Sequence, residues 1–105
     1  MIIEKLQEME ERIDRIEADM ASPDVISRME EYKKLAREHA ELRDVVALFR
    51  EWKKVKEELE KTNDLVLKET DPEMRELARE EADRLTQEDE REFGRSRVKF
   101  YRRRA

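Results

Sequence analysis

Only one glycine, Gly94, and two prolines, Pro23 and Pro72, punctuate this 105-residue chain. Glycine supplies the positive-φ backbone that tight hairpins, phosphate-cradling loops and many catalytic corners require. A chain so short of breakers has few ways to turn and few ways to enclose a pocket, so long helices are expected and little else. Composition agrees, because 50% of the residues are charged and 37% hydrophobic, proportions of long or coiled helices. The length allows one domain at most, and such a chain buries stripes instead of a deep core. With no cysteine and a single histidine, His39, neither a disulfide nor a zinc constellation is expected, and no cofactor. The missing cysteines fit a cytoplasmic protein. Acidic residues interrupt the apolar pattern of the first ten positions, which argues against a signal peptide. No stretch approaches the ~20 apolar residues of a membrane span, so no membrane partner is expected.

The net charge of −5 is unevenly placed. Every Asp and Glu lies at or before Glu92, so residues 1–92 carry −11 from 18 basic and 29 acidic side chains. Arg95, Arg97, Lys99, Arg102, Arg103 and Arg104 give residues 93–105 a charge of +6. Opposite signs in two parts of one chain suggest two roles. Residues 1–92 are accordingly read as one helical domain and residues 93–105 as a basic, disordered tail.

Along the chain, Ile2, Leu6, Met9, Ile13, Ile16 and Met20 are spaced alternately four and three apart, a heptad seam on one helix. Glu8 with Arg12, and Glu11 with Arg15, are acid-before-base pairs on its solvated side. The first break is Ala21-Ser22-Pro23-Asp24, with Ser22 as N-cap, Pro23 at the first helical position and Asp24 against the positive helix end. From there Val25, Met29, Tyr32, Leu35, His39, Leu42, Val45, Phe49, Trp52, Val55 and Leu59 mark one uninterrupted helix of about 40–46 residues, roughly 60–70 Å long. Its weak point is Thr62-Asn63-Asp64, three poor helix formers together. Thr70-Asp71-Pro72-Glu73 is the next break, Asp71 capping and Pro72 opening a third helix. That helix uses Met74, Leu77, Ala78, Ala82 and Leu85, and its apolar stripe ends there. The lengths predict an all-α, elongated antiparallel three-helix bundle in which two short helices lie along successive halves of a long central one, with a Phe49/Trp52 cluster where the short helices meet.

Each chemically suggestive residue has a plain alternative. His39 falls on the apolar face of the long helix and is read as a packing histidine, since no second His or Cys accompanies it as a ligand. Phe49 and Trp52 are read as core, with a partner-binding hot spot as the alternative use of their area. The carboxylates Glu57 and Glu60 share a face, but Lys53, Lys54, Lys56 and Lys61 interleave with them, which argues against a metal. No nucleophile and base are arranged together, so no catalytic, cofactor or metal residue is expected. In the tail, six cations interleave with Phe93, Phe100 and Tyr101, a pattern able to contact RNA through phosphates and stacking.

The run Asp71-Pro72-Glu73-Met74-Arg75-Glu76-Leu77-Ala78-Arg79-Glu80-Glu81 closely resembles a segment of the N-terminal domain of the bacterial peptide chain release factor 1 family (class I release factors). Tyr32-Lys33-Lys34-Leu35-Ala36-Arg37-Glu38-His39-Ala40-Glu41-Leu42, with Val45-Val46 and the Phe49 to Trp52 pair, resembles the same family. The likeness covers about residues 1–85. It implies a helical domain that in full-length members precedes a codon-reading domain with a Pro-x-Thr tripeptide and a domain with a hydrolytic Gly-Gly-Gln loop. Neither motif occurs here, so no catalytic or codon-reading residue carries over and the chain is not expected to be an enzyme. The partners implied are the ribosome, at the large-subunit stalk base, and a translational GTPase.

After Leu85 the sequence departs from the family, where more Leu-rich helix, an apolar linker and a strand are expected. The abrupt change from Phe93 on is read as an altered reading frame or a truncated gene product. The functional expectation is a non-catalytic docking arm in translation termination, its rod packed by Leu42, Phe49, Trp52, Leu59, Met74 and Leu77, with the partner-binding face unassigned. The alternative is a stand-alone coiled-coil adaptor or oligomerisation module, in which the seams pair chains by self-association.

Overall fold

The computed structural model describes the backbone of residues 2–104 and the side chains of residues 2–102. Among these residues there are four α-helices and no strand: α1 (Ile2–Met20), α2 (Pro23–Ile26), α3 (Met29–Lys68) and α4 (Pro72–Arg104). The chain is all-α, as expected, and α3 is its long central helix.

The heptad seam of α1 is its buried face, with Leu6, Ile13 and Ile16 enclosed. The second helix departs from expectation, because it is broken after one turn. Ser22 occupies the cap position with extended backbone, but its hydroxyl makes no cap hydrogen bond. The Ser27 hydroxyl donates to the Asp24 carbonyl at 2.8 Å. The Arg28 N–H then reaches back three residues, to the Val25 carbonyl at 3.0 Å. A serine that bonds its own backbone competes with helix propagation, and α2 stops. The chain restarts as α3 when the Tyr32 N–H donates to the Arg28 carbonyl.

Helix α3 holds for 40 residues, roughly 60 Å at 1.5 Å per residue. It crosses Thr62-Asn63-Asp64 without a break, and Lys68 ties back to Asp64 at 2.8 Å across one turn. Asp71 acts as the N-cap of α4, its carboxylate accepting the Glu73 N–H at 3.0 Å, with Pro72 first in the helix.

The segment 93–105, expected to be a disordered tail, instead continues α4 through Arg104. Ala105 lies outside the described residues. The buried positions Ala78, Ala82, Leu85, Ser96 and Phe100 fall at helical spacing on one face, and half-buried Phe93 belongs to the same face. The polar stretch Thr86 to Glu92 interrupts the apolar composition of that face, not its geometry. Gly94 has no positive φ and is an ordinary helical residue.

The chain divides into two compact units, one holding the residues up to Ala47 with those from Lys99 on, the other Leu48–Val98. In the first, the short connection through α2 returns the chain antiparallel to α1. Ile13, Ile16, Leu42 and Val46 form the core, with Met9, Met20 and Leu35 packed against it. Phe100 of α4 is also buried here, 4% exposed. In the second unit, Phe49 stacks on Trp52 with centroids 5.7 Å apart, and Trp52 meets Phe93 at 4.9 Å. The Trp52 indole nitrogen and one carboxylate oxygen each of Asp89 and Glu92 are buried there without a hydrogen-bond partner.

Candidate interaction surface

Of the six residues expected to pack the rod, Leu42, Phe49 and Trp52 are buried and Leu59 is half-buried. Met74 and Leu77 are not core: they are 51% and 58% exposed. The inward line of α4 is covered only from Ala78 on, through Ala82 and Leu85. Met74 lies on that line one turn before Ala78, where it is left exposed, and Leu77, next to Ala78 and ~100° round the helix from it, lies off the line.

His39 is half-buried, and its Nε2 lies 3.0 Å from Glu17 Oε1, a link between α3 and α1 and not a lone ligand. Arg12 of α1 forms the stronger link. Its Nε and Nη2 donate to the two oxygens of Glu38 at 2.7 and 2.8 Å, a bidentate geometry that a planar guanidinium favours. The hydrogen bond to Glu38 raises the Arg12 pKa above its ordinary value. This pair lines an open cleft of about 440 Å³ in the first unit, whose apolar wall is Met9, Leu42 and Phe100. Lys5, Glu8 and Arg15 complete it, so the lining holds mixed charge and no nucleophile beside a base. Glu57 pairs with Lys61 at 3.6 Å. Among the described residues no group of three or more His, Asp or Glu side chains is placed to hold a metal ion.

The tail aromatics are largely committed to packing. Phe93 sits on Trp52 and Phe100 is buried, which leaves Tyr101, 55% exposed, as the accessible ring of the three. Arg97 lies over Phe93 at 5.9 Å, and Arg95 reaches Glu92 at 3.3 Å. Residues 91–102 thus present cations on a helix, with far less stacking surface than the composition suggests.

A different surface emerges at the turn between α3 and α4, in the second unit. Leu65 and Leu67 at the end of α3 are 50% and 82% exposed, close in sequence to exposed Met74 and Leu77. The turn beneath them is well held. Glu69 Oε1 accepts the N–H groups of Thr70 and Asp71 at 3.1 Å each. The Glu69 carbonyl accepts Arg75 Nε and Nη2 at 3.1 and 2.7 Å. Sequence reading missed this surface because Met74 and Leu77 satisfy a helical apolar pattern whether they face in or out. The available signal was their closeness to the Asp71-Pro72 break.

Fold and surface together define an all-helical domain whose chemistry lies in packed stripes, charged faces and one apolar turn. Comparison with known proteins places it: the PCRF domain matches residues 9–99, and the chain belongs to that family. The match continues past Glu92 into the basic segment. Among curated relatives, peptide chain release factor 1 of Solidesulfovibrio magneticus is 41% identical over 81 residues, 77% of this chain and 22% of the relative. That of Pelobacter propionicus is 40% identical over 90 residues, 86% of this chain and 25% of the relative. That of Clostridium beijerinckii is 36% identical over the same length and the same shares. The chain therefore spans about a quarter of the length of the curated relatives it matches. No solved structure matches the chain.

Proposed function

We propose that this chain is the helical domain of a peptide chain release factor and serves translation termination as a non-catalytic docking arm on the ribosome. The observation that carries the reading is the PCRF domain match over residues 9–99, joined to relatives that are themselves named peptide chain release factor 1. The partners are the large-subunit stalk base and a translational GTPase, and the setting is the cytoplasm. Among the described residues no helix is long and apolar enough to cross a membrane. The domain positions other machinery through rigid helices and leaves peptidyl-tRNA hydrolysis to domains outside this chain.

RNA contact through the basic end of α4 is a subsidiary part of the proposal, supported by exposed Arg95, Arg97, Lys99 and Arg102. With Tyr101 as the exposed ring it rests on phosphate charge, so it should fade steeply with salt. The alternative, a self-associating coiled-coil adaptor, draws on exposed Leu67 and Met74. Against it stands the α1 seam, which is buried within the chain itself.

Co-sedimentation of the intact chain with purified bacterial large ribosomal subunits tests the docking reading. Saturable binding at micromolar concentration is expected, weakened by Trp52→Ala, which removes the centre of the aromatic cluster. No binding would defeat it, and an obligate dimer that unfolds on dilution in sedimentation velocity would favour the adaptor.

A further inference from the structure

We infer that one face of α4, the stripe Arg91, Arg95, Lys99 and Arg102, is a site for the phosphate backbone of duplex RNA, and that Arg97, equal in charge and in the same segment, lies outside it. The inference rests on the RNA contact proposed above and adds to it the residues and the form of the RNA.

Helical geometry gathers the four cations. At about 100° per residue they fall within an arc of about 80° and along about 16 Å of the axis, and all four are exposed. Ser96 and Phe100, buried on the inward side of the helix, lie outside that arc. Arg97 lies about 160° from the centre of the arc and over the Phe93 ring at 5.9 Å. Among the described residues Arg91, Lys99 and Arg102 have no carboxylate partner. Arg95 donates Nη1 to Glu92 at 3.3 Å, and a guanidinium carries further N–H donors in a planar fork. No Asp or Glu follows Glu92, so nothing neutralises the stripe from its C-terminal side.

The chemistry of the stripe selects its occupant. Arg91, Arg95 and Arg102 offer the planar fork that pairs with phosphate oxygens two at a time. The apolar side chain beside them is Val98, half exposed, too little for the apolar centre through which protein faces bind. A phosphate backbone requires only charge, held in a row. Single strands bind by stacking on aromatic rings as well, and the rings here are turned elsewhere. Phe100 is buried, and exposed Tyr101 sits about 120° round the helix from the centre of the stripe. A straight row of cations without rings fits a duplex, which is recognised through its backbone and shape.

The test is fluorescence anisotropy of the intact chain with a short labelled RNA duplex across a salt titration. Four phosphate contacts give log affinity against log salt a slope of about −3 to −4. Arg91→Gln and Arg102→Gln should each flatten it by about one, and together they should weaken binding about tenfold or more at low salt. Arg97→Gln should leave the slope unchanged. Glutamine is a good helix former and these side chains are exposed, so far-UV circular dichroism should match the parent. If Arg97→Gln flattens the slope as much as Arg91→Gln does, the charge acts diffusely and the stripe is overturned, with RNA contact left standing. Tighter binding to a single strand of the same length overturns the duplex. Equal binding to poly-glutamate overturns RNA in favour of an acidic protein face. A parent chain that binds neither form of RNA at low salt overturns both the stripe and the RNA contact it rests on.

Discussion

Arg84 grips two carboxylates on the solvated side of α4. Its Nε donates to Glu81 Oε2 and its Nη1 to Glu88 Oε2, each at 3.1 Å. The hydrogen bond from Arg84 holds the Glu81 carboxyl below its ordinary value. A depressed folded-state pKa means that the pair adds stability above the unfolded-state value, about 4.3, and loses it as pH falls through the folded value. Carboxyl NMR titration should place Glu81 below that reference, and Arg84→Gln should return it. Exposure and salt keep the energetic effect small. Core positions behave differently. Ile16 is fully buried, and Ile16→Ala should lower stability by about 2–5 kcal/mol in denaturant titration. Gly94 gives the opposite sign. Nothing lies within 4 Å of where its Cβ would stand, so Gly94→Ala should raise stability by about 1 kcal/mol through helix propensity.

At the scale of elements, helix α4 separates two accounts of the basic segment. If residues 93–104 pack as helix, Phe100→Ala empties a buried site and should lower stability by about 3–5 kcal/mol, where a disordered tail would show no change. Asp71→Ala should remove about 1 kcal/mol by freeing the Glu73 N–H, read in the same denaturant titration. The elements most legible in the sequence were those with one strong local signal. For α1 it is the heptad seam, and for the start of α4 it is the Asp71 cap followed by Pro72. Less legible was the break at Ser27, because the competing bond from a serine hydroxyl to Asp24 leaves no mark in apolar periodicity. The continuation of α4 was hidden for another reason: seven polar residues after Leu85 conceal a register that Phe93 and Phe100 keep. Met74 and Leu77 show the limit most clearly, since a pattern can name the helix and its apolar side without saying how far along its length that side is covered.

For the molecule as a whole, the segregation of charge has a structural counterpart. Helix α1 carries seven acidic and three basic residues, and the compact unit it belongs to also takes in Lys99 and Arg102 of α4. Opposite charge and the burial of Phe100 act in the same direction, which accounts for a helix where composition alone suggests a loose tail. The same unit contains no tryptophan, because Trp52 is the only one in the chain and lies, 6% exposed, in Leu48–Val98. Indole emission excited at 295 nm consequently reports on one half of this protein only, while Tyr32 and Tyr101 lie in the other. Recording both colours during a thermal ramp would reveal, without any added label, whether the halves melt as a single cooperative body or one after the other.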